Sequence, residues 1–398
     1  MNMRLINTEL SAMQQIIPGI DVFLQAPGFN KKLRMALVTN DAARTGDGEL
    51  SRFALLKNGF NLKKIFSPEH GISVKGEDGV FQKNTTDTAT GLPVISLYGD
   101  KLMPAEEDLS DVDLVLFDIP DVGCRFYTYL WTMTHVLEAS ARFNKPLVIL
   151  DRPNPIGGDL KFAEGPMLDE TACSSFIGRW SIPVRHCCTL GELATYFLQK
   201  KNIDASLKVI RVKNWQRNEL AGTPGFPFHP TSPAIKNIDT ALLYPGTGLL
   251  EGINVNEGRG TANPFLQFGA PWINAEELLD FFKSKNFSGI AAKKISYTPA
   301  DSLYKNEPCN GLALSITDKN SLRPVAAGLG IISMLMQLYP EKINERLYKT
   351  NANPSGSGHL DKLTGVKNSF FLLKATQPFP TDVSVSWQGE MSNHLLYD

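Results

Sequence analysis

The chain has 398 residues, 42% hydrophobic and 20% charged, which is enough apolar material for a large core and more than one domain. Its 40 basic and 41 acidic side chains leave a formal net charge of -1, so it lacks the footprint of a nucleic-acid or anionic-membrane binder. Five cysteines with no C-x-x-C pair and six dispersed histidines argue against a metal site, and the expectation is no metal, no cofactor and reduced, buried thiols.

In chain order, Met1 to Pro18 has neither the basic region nor the apolar stretch of a signal peptide. The expectation is therefore a cytoplasmic chain as given, periplasmic or secreted if a leader was removed. No run reaches membrane-spanning length. Arg34 to Asn40 reads as a first strand, Arg52 to Gly59 as a helix with a glycine stop, and Lys63 to Phe66 as a second strand. Leu92 to Tyr98 is a short third strand. Asp113 to Ile119 is an apolar run bounded by acids, the pattern of a strand buried on both faces. A helix over Tyr127 to Phe143 and a strand over Pro146 to Asp151 follow. Thr189, with Glu192 three residues on, predicts a capping box opening a helix to Lys201. Leu207 to Val212 closes the series as a strand. This alternation predicts an α/β fold with a mostly parallel sheet and helices on both faces.

Thr223 to Ala234 is rich in proline and aromatic residues and reads as a loop over a cleft or a linker. After about residue 260 the texture changes. Helices are expected over Ala275 to Lys285 and Val325 to Tyr339, and strands over Ala291 to Tyr297 and Gly311 to Ile316. A polar turn at Ser355 to Gly358 and a C-terminal helix complete a smaller α+β unit. The division is expected at 245/246, giving a catalytic domain over 15–245 and an auxiliary domain over 246–398 that completes the cleft.

Four segments gather polar groups at predicted strand ends or in glycine-rich turns. Ser67-Pro68-Glu69-His70-Gly71 delivers a carboxylate and an imidazole. The turn after Phe117 holds Asp118, Asp121, Arg125 and Tyr127. Asp151, Arg152 and Asn154 follow the next strand. Leu250 to Gly260 interleaves Glu251, Asn254, Glu257 and Arg259 with glycines. Taken singly, each acid also fits a helix cap or a loop tie. Together they place carboxylates among arginine, asparagine and tyrosine beyond the carboxyl ends of strands, where open α/β sheets bind ligands. That is chemistry suited to a sugar: acids for glycosidic cleavage, planar polar groups for hydroxyls. Dinucleotide, P-loop and serine-elbow motifs are absent, which removes those reaction classes.

The motifs also resemble a known family. G-I-D at Gly19 to Asp21, L-V-T-N at Leu37 to Asn40, S-P-E-H-G, S-L-Y-G at Ser96 to Gly99 and F-D-I-P-D-V-G-x-R-F-Y-T-Y stand in order. L-D-R-P-N-P, L-Y-P-G-T at Leu243 to Thr247, L-E-G-x-N-V-x-E-G-R-G-T and F-G-A-P-W at Phe268 to Trp272 continue the series. This is similar to the bacterial exo-β-N-acetylmuramidases of peptidoglycan turnover, once catalogued as a domain of unknown function. The resemblance covers nearly the whole chain. It implies a Rossmann-like domain, a smaller auxiliary domain and a cleft between them. It also implies release of non-reducing terminal β-1,4-linked N-acetylmuramic acid from a muropeptide or peptidoglycan disaccharide, without a cofactor. The alternative is a non-catalytic muropeptide-binding protein. Asp121 stands where the family usually has Gln.

The resemblance carries the proton donor onto Glu69, with His70 to orient it. For the second role a carboxylate among Glu251, Glu257 and Asp121 can act as nucleophile or base, with Glu257 the first choice. The substrate's own acetamido oxygen is the other route. The lactyl carboxylate of the muramic residue calls for a cation, and Arg125, Arg152 and Arg259 are the candidates. Asp121, Tyr127, Asp151, Asn154, Glu251 and Asn254 are expected to line the substrate. An exo mode predicts a pocket, walled in part by Thr223 to Ala234. Oligomeric state is left open.

Overall fold

The computed structural model describes residues 15–77, 79–351 and 353–398. Most of the Met1 to Pro18 stretch lies outside them. The larger sheet has seven strands: β1 (Met35–Thr39), β2 (Leu62–Ser67), β3 (Thr85–Thr86), β4 (Pro93–Ser96), β5 (Leu114–Asp118), β6 (Leu147–Leu150) and β7 (Leu207–Ile210). Their order is β3-β4-β2-β1-β5-β6-β7, and every pairing is parallel except the β3–β4 edge. The chain winds outward from β1 through β2 to β4, then crosses back to β5 and winds the other way. The winding reverses at β1 and β5, which is the topological switch point of a doubly wound sheet.

Alternation along the strands explains why the sequence reads as continuous apolar runs. Ala36, Val38, Val115, Phe117, Leu147 and Ile149 face one core. Met35, Leu37, Leu114, Leu116, Val148 and Leu150 face the other. With both faces covered, no polar alternation survives in β1, β5 and β6. The helices Tyr129–Arg142 and Leu190–Lys200 cover the first face and pack on each other. The second helix carries the expected capping box: the Thr189 hydroxyl accepts from Glu192 N–H, and Glu192 Oε2 accepts from Thr189 N–H at 3.0 Å.

The smaller unit is built on a three-stranded antiparallel sheet of β8 (Gln267–Ala270), β9 (Ile290–Tyr297) and β10 (Cys309–Ile316), in the order β8-β10-β9. Helix Ala275–Lys285 packs on this sheet, and Pro324–Leu338 packs on that helix. The expected boundary at 245/246 falls inside a helix, Ile238–Thr247. That helix crosses Pro324–Leu338 at Gly246 and Gly328. A Cβ on Gly246 would lie 1.8 Å from Pro324 O, and one on Gly328 would lie 2.3 Å from Gly246 O, so only glycine allows this contact. The chain end returns to the large sheet. Trp387 is fully buried and donates to His186 O at 2.8 Å, and the Tyr397 hydroxyl donates to Asp151 at 2.6 Å. All five cysteines are buried and unpaired. No helix of the described residues is long and apolar enough to cross a membrane.

Candidate active site

Where β2 ends, Pro68 turns the chain and Glu69 enters a cavity of about 720 Å³, counting the solvent at its mouth. The turn is tight. His70 adopts φ +66°, a conformation L side chains rarely take, and its Nδ1 lies 2.9 Å from Gly76 O. Glu69 is almost fully buried, and Gly79 N–H donates to its Oε1 at 2.9 Å. Buried aromatic rings from both units line the cavity: Phe126, Tyr127, Tyr244 and Phe265. Burial pushes the pKa of Tyr127 and of Tyr129 above the ordinary phenol value, and the neighbouring Glu69 charge adds to the effect in each. Tyr129 donates to Thr231 O at 2.6 Å. The Tyr127 hydroxyl lies near Thr231, Ser232 and Tyr129, but none of the described residues meets it with hydrogen-bond geometry.

The glycine-rich segment after Ile238–Thr247 supplies the remaining charged wall. Glu251 sits on a short 3-10 turn, Gly248–Gly252, and lines the cavity with Arg259. Arg259 donates through Nε to Glu251 Oε1 at 2.9 Å, and the same nitrogen lies 3.3 Å from Glu257 Oε1. Arg346 grips Glu257 Oε2 at 3.0 Å. The result is a ladder of alternating charge, Glu251–Arg259–Glu257–Arg346, in which each arginine is matched by a carboxylate.

Family models match almost the whole of this architecture. The model described as exo-beta-N-acetylmuramidase NamZ, N-terminal, matches residues 35–239, and its C-terminal counterpart matches residues 242–395. The chain belongs to the exo-β-N-acetylmuramidase family. It is 39% identical to the peptidoglycan beta-N-acetylmuramidase NamZ of Bacillus subtilis (strain 168) over 351 residues, covering 87% of this chain and 81% of that one. Crystal structures of two DUF1343 family proteins from Bacteroides fragilis share the fold. One has a TM-score of 0.82 at 28% identity, the other 0.73 at 26%, and each match covers 96% of this chain and 99% of the other.

Of the residues expected at the site of this exo-β-N-acetylmuramidase family member, Glu69, His70, Tyr127, Glu251 and Arg259 line the one cavity. Glu257, expected as the second catalytic carboxylate, does not. It is fully buried behind Arg259 and held by two arginines. Arg125 is also displaced from its expected role. Its side chain is wholly enclosed and donates to three backbone carbonyls, Pro166 O at 2.6 Å, Ile182 O at 2.9 Å and Leu363 O at 2.8 Å. With no carboxylate beside it, burial lowers its pKa to about 10.

The strand-end residues of β5 and β6 form a separate polar knot. Arg152 makes a bidentate pair with the fully buried Asp118, at 2.6 and 3.0 Å. Asp151 accepts from Thr189 Oγ1, Gly191 N–H and Tyr397 Oη. Asp121 accepts from Gly123 N–H at 2.9 Å and lies 3.2 Å from His186 Nε2. Asn154 bonds Cys188 O and Ile156 N–H, and Asn254 bonds Lys342 O and Asn344 N–H. Asp121, Arg152 and Pro120 do border a second cavity of about 410 Å³ at the switch point, which Phe226 to His229 and Thr231 of the proline-rich loop also wall. Farther along that loop, Ser232 and Ala234 line the first cavity, so the segment serves both.

Sequence reasoning missed a group from the last quarter of the chain: Tyr348, Thr350, Asn353, His359 and Lys362 all line the cavity. Tyr348 and His359 stack at 4.4 Å with 8° between their planes. The only sequence signal nearby is the polar turn at Ser355 to Gly358, which precedes the short helix His359–Thr364.

Proposed function

We propose that this chain is an exo-acting glycoside hydrolase that releases N-acetylmuramic acid from the non-reducing end of peptidoglycan fragments, with Glu69 as the proton donor. One observation carries the reading: a buried glutamate, fixed by a backbone N–H, projects from a strand end into a cavity walled by both units. Glycosidic cleavage needs a proton on the leaving oxygen and negative charge at the anomeric carbon. Glu69 fills the first role. The Gly79 N–H holds one carboxyl oxygen, which limits rotation and presents the group in a fixed direction.

Glu251 is the better choice for the second role than Glu257. It reaches the cavity wall, whereas Glu257 is committed to Arg259 and Arg346. Arg259 donates to Glu251 and fixes its direction, as a nucleophile, a base for water or a partner for the substrate acetamido group requires. The aromatic wall suits the apolar face of a pyranose. Beyond Gly79 and Thr350 lies an open groove lined also by Val80, Phe81, Asp100, Lys349 and Pro354. Because Gly79 both borders this groove and holds Glu69, the leaving sugar departs on that side.

The test is hydrolysis of the disaccharide N-acetylmuramyl-β-1,4-N-acetylglucosamine by wild type and Glu69→Gln, followed by product chromatography. Release of free muramic acid by wild type and its loss in the variant is the expected result. Mid-chain cleavage of intact glycan polymer would overturn the exo assignment, and full activity of the variant would overturn the role of Glu69.

A further inference from the structure

The charges around the cavity do not cancel evenly. Arg259 is matched by Glu251 and Glu257. Lys362, the other cation lining the cavity, is paired with no carboxylate among the described residues. Its ammonium donates to two neutral oxygens, Asn353 Oδ1 at 2.8 Å and Ser357 O at 3.1 Å. An ammonium carries three donors, so one remains unspent. Burial lowers the Lys362 pKa, as expected of a cation removed from water without a counter-ion.

The fold places this lysine deliberately. Its short helix presses on the turn that bears Glu251: a Cβ on Gly252 would lie 2.7 Å from Leu360 Cα. Arg125 fastens the far end of the same helix through Leu363 O. Lys362 and Glu251 are thus carried by elements in direct backbone contact. A half-buried cation without an anion is costly unless the ligand supplies one.

We infer that Lys362 receives the lactyl carboxylate of the muramic residue and so distinguishes N-acetylmuramic acid from N-acetylglucosamine. This rests on the proposed function and deepens it. The arginines expected for this task are matched by carboxylates or spent on backbone: Arg152 is locked to Asp118, Arg125 to backbone carbonyls and Arg259 to two acids. A charge-assisted hydrogen bond of this kind corresponds to about 10- to 100-fold in affinity.

The experiment compares the 4-nitrophenyl β-glycoside of N-acetylmuramic acid with its lactyl methyl ester, which differs only in charge and one methyl group. Wild type is expected to favour the acid by about 10- to 100-fold in kcat/KM, chiefly through KM. Lys362→Met should remove that preference and Lys362→Arg should keep most of it. Equal loss on both substrates in Lys362→Met would reduce the lysine to a structural role and overturn the inference. The wild-type comparison needs no variant, and absence of any preference there would also overturn it. Calorimetric binding of free N-acetylmuramic acid and its methyl ester separates the two levels. Binding with the charge preference but no turnover would sink the hydrolase reading and leave Lys362 standing. Turnover without the preference would do the reverse.

Discussion

Acids sit at the carboxyl ends of β2, β5 and β6 in the large sheet, and they differ in what surrounds them. At β5 and β6, Asp118 is held bidentate by Arg152, and Asp151 accepts from three donors. At β2, Glu69 reaches the cavity with a backbone N–H on one oxygen. As sequence, the two kinds of strand end look alike: an apolar run, then acid, proline and glycine. The difference comes from distant residues. Thr189 and Tyr397 meet Asp151, while elements beyond residue 240 surround Glu69 with space. A strand-end carboxylate therefore becomes a candidate for chemistry when the rest of the chain leaves it a cavity.

Substitutions can break that contrast. Glu69→Gln is expected to lower kcat on the disaccharide by about 10²- to 10⁴-fold, the usual contribution of a general acid. Its urea midpoint should barely move, which separates chemistry from folding. Arg152→Ala should do the opposite. It leaves the fully buried Asp118 without its pair, at a cost of about 3–5 kcal/mol in urea unfolding. Turnover per folded molecule should stay within about twofold, since Arg152 does not line the first cavity.

The knot should also show in pH dependence. Burial pushes the Asp151 carboxyl up to about 6, above the 3.8 of a free aspartate. The folded state therefore keeps this proton longer than the unfolded chain. The resulting contribution to stability is whole below pH 3.8 and is lost as pH rises to 6. It amounts to about 3 kcal/mol over the whole titration, and in Asp151→Asn the fall in stability between pH 4 and 6 should be smaller by about 2 kcal/mol. Urea titrations at both pH values measure it. An unchanged slope would count against the buried-acid account. The smallest effect is expected for Tyr348→Phe. The variant keeps the ring stacked on His359 and loses only the hydroxyl, which lies 3.5 Å from Glu251 Oε1, and kcat/KM should stay within about threefold.

The sequence makes some of this molecule legible and hides the rest for identifiable reasons. The cores of β1, β5 and β6 were readable because strands buried on both faces leave unbroken apolar runs. The helix Ala275–Lys285 was readable to the residue, since Asn274 caps it and lysines end it. Strand β3 is two residues long, below any pattern. Helix Ile238–Thr247 carries Pro245 and so does not read as one helix. Strand β8 is short and followed by Pro271. The same holds for the site. Glu69 was visible at a strand end with a turn behind it. Lys362 was not, because a six-residue helix shows too little periodicity and its partner elements lie far away in sequence. Arg125 was misleading for a physical reason: a guanidinium that bonds only backbone carbonyls looks, as a letter, like one that awaits a ligand.

The crossing of Gly246 over Gly328 sets how the enzyme can breathe. With backbone against backbone at this crossing, no side-chain layer separates the helices there, and a hinge at this point would have to part main chain from main chain. Large rocking of one half on the other is a poor way to admit substrate. Traffic falls instead to the loops at the rim, Gly79 to Phe81 and Lys349 to Asn351. Mutations that stiffen those loops should slow product escape without touching the bond that is cut.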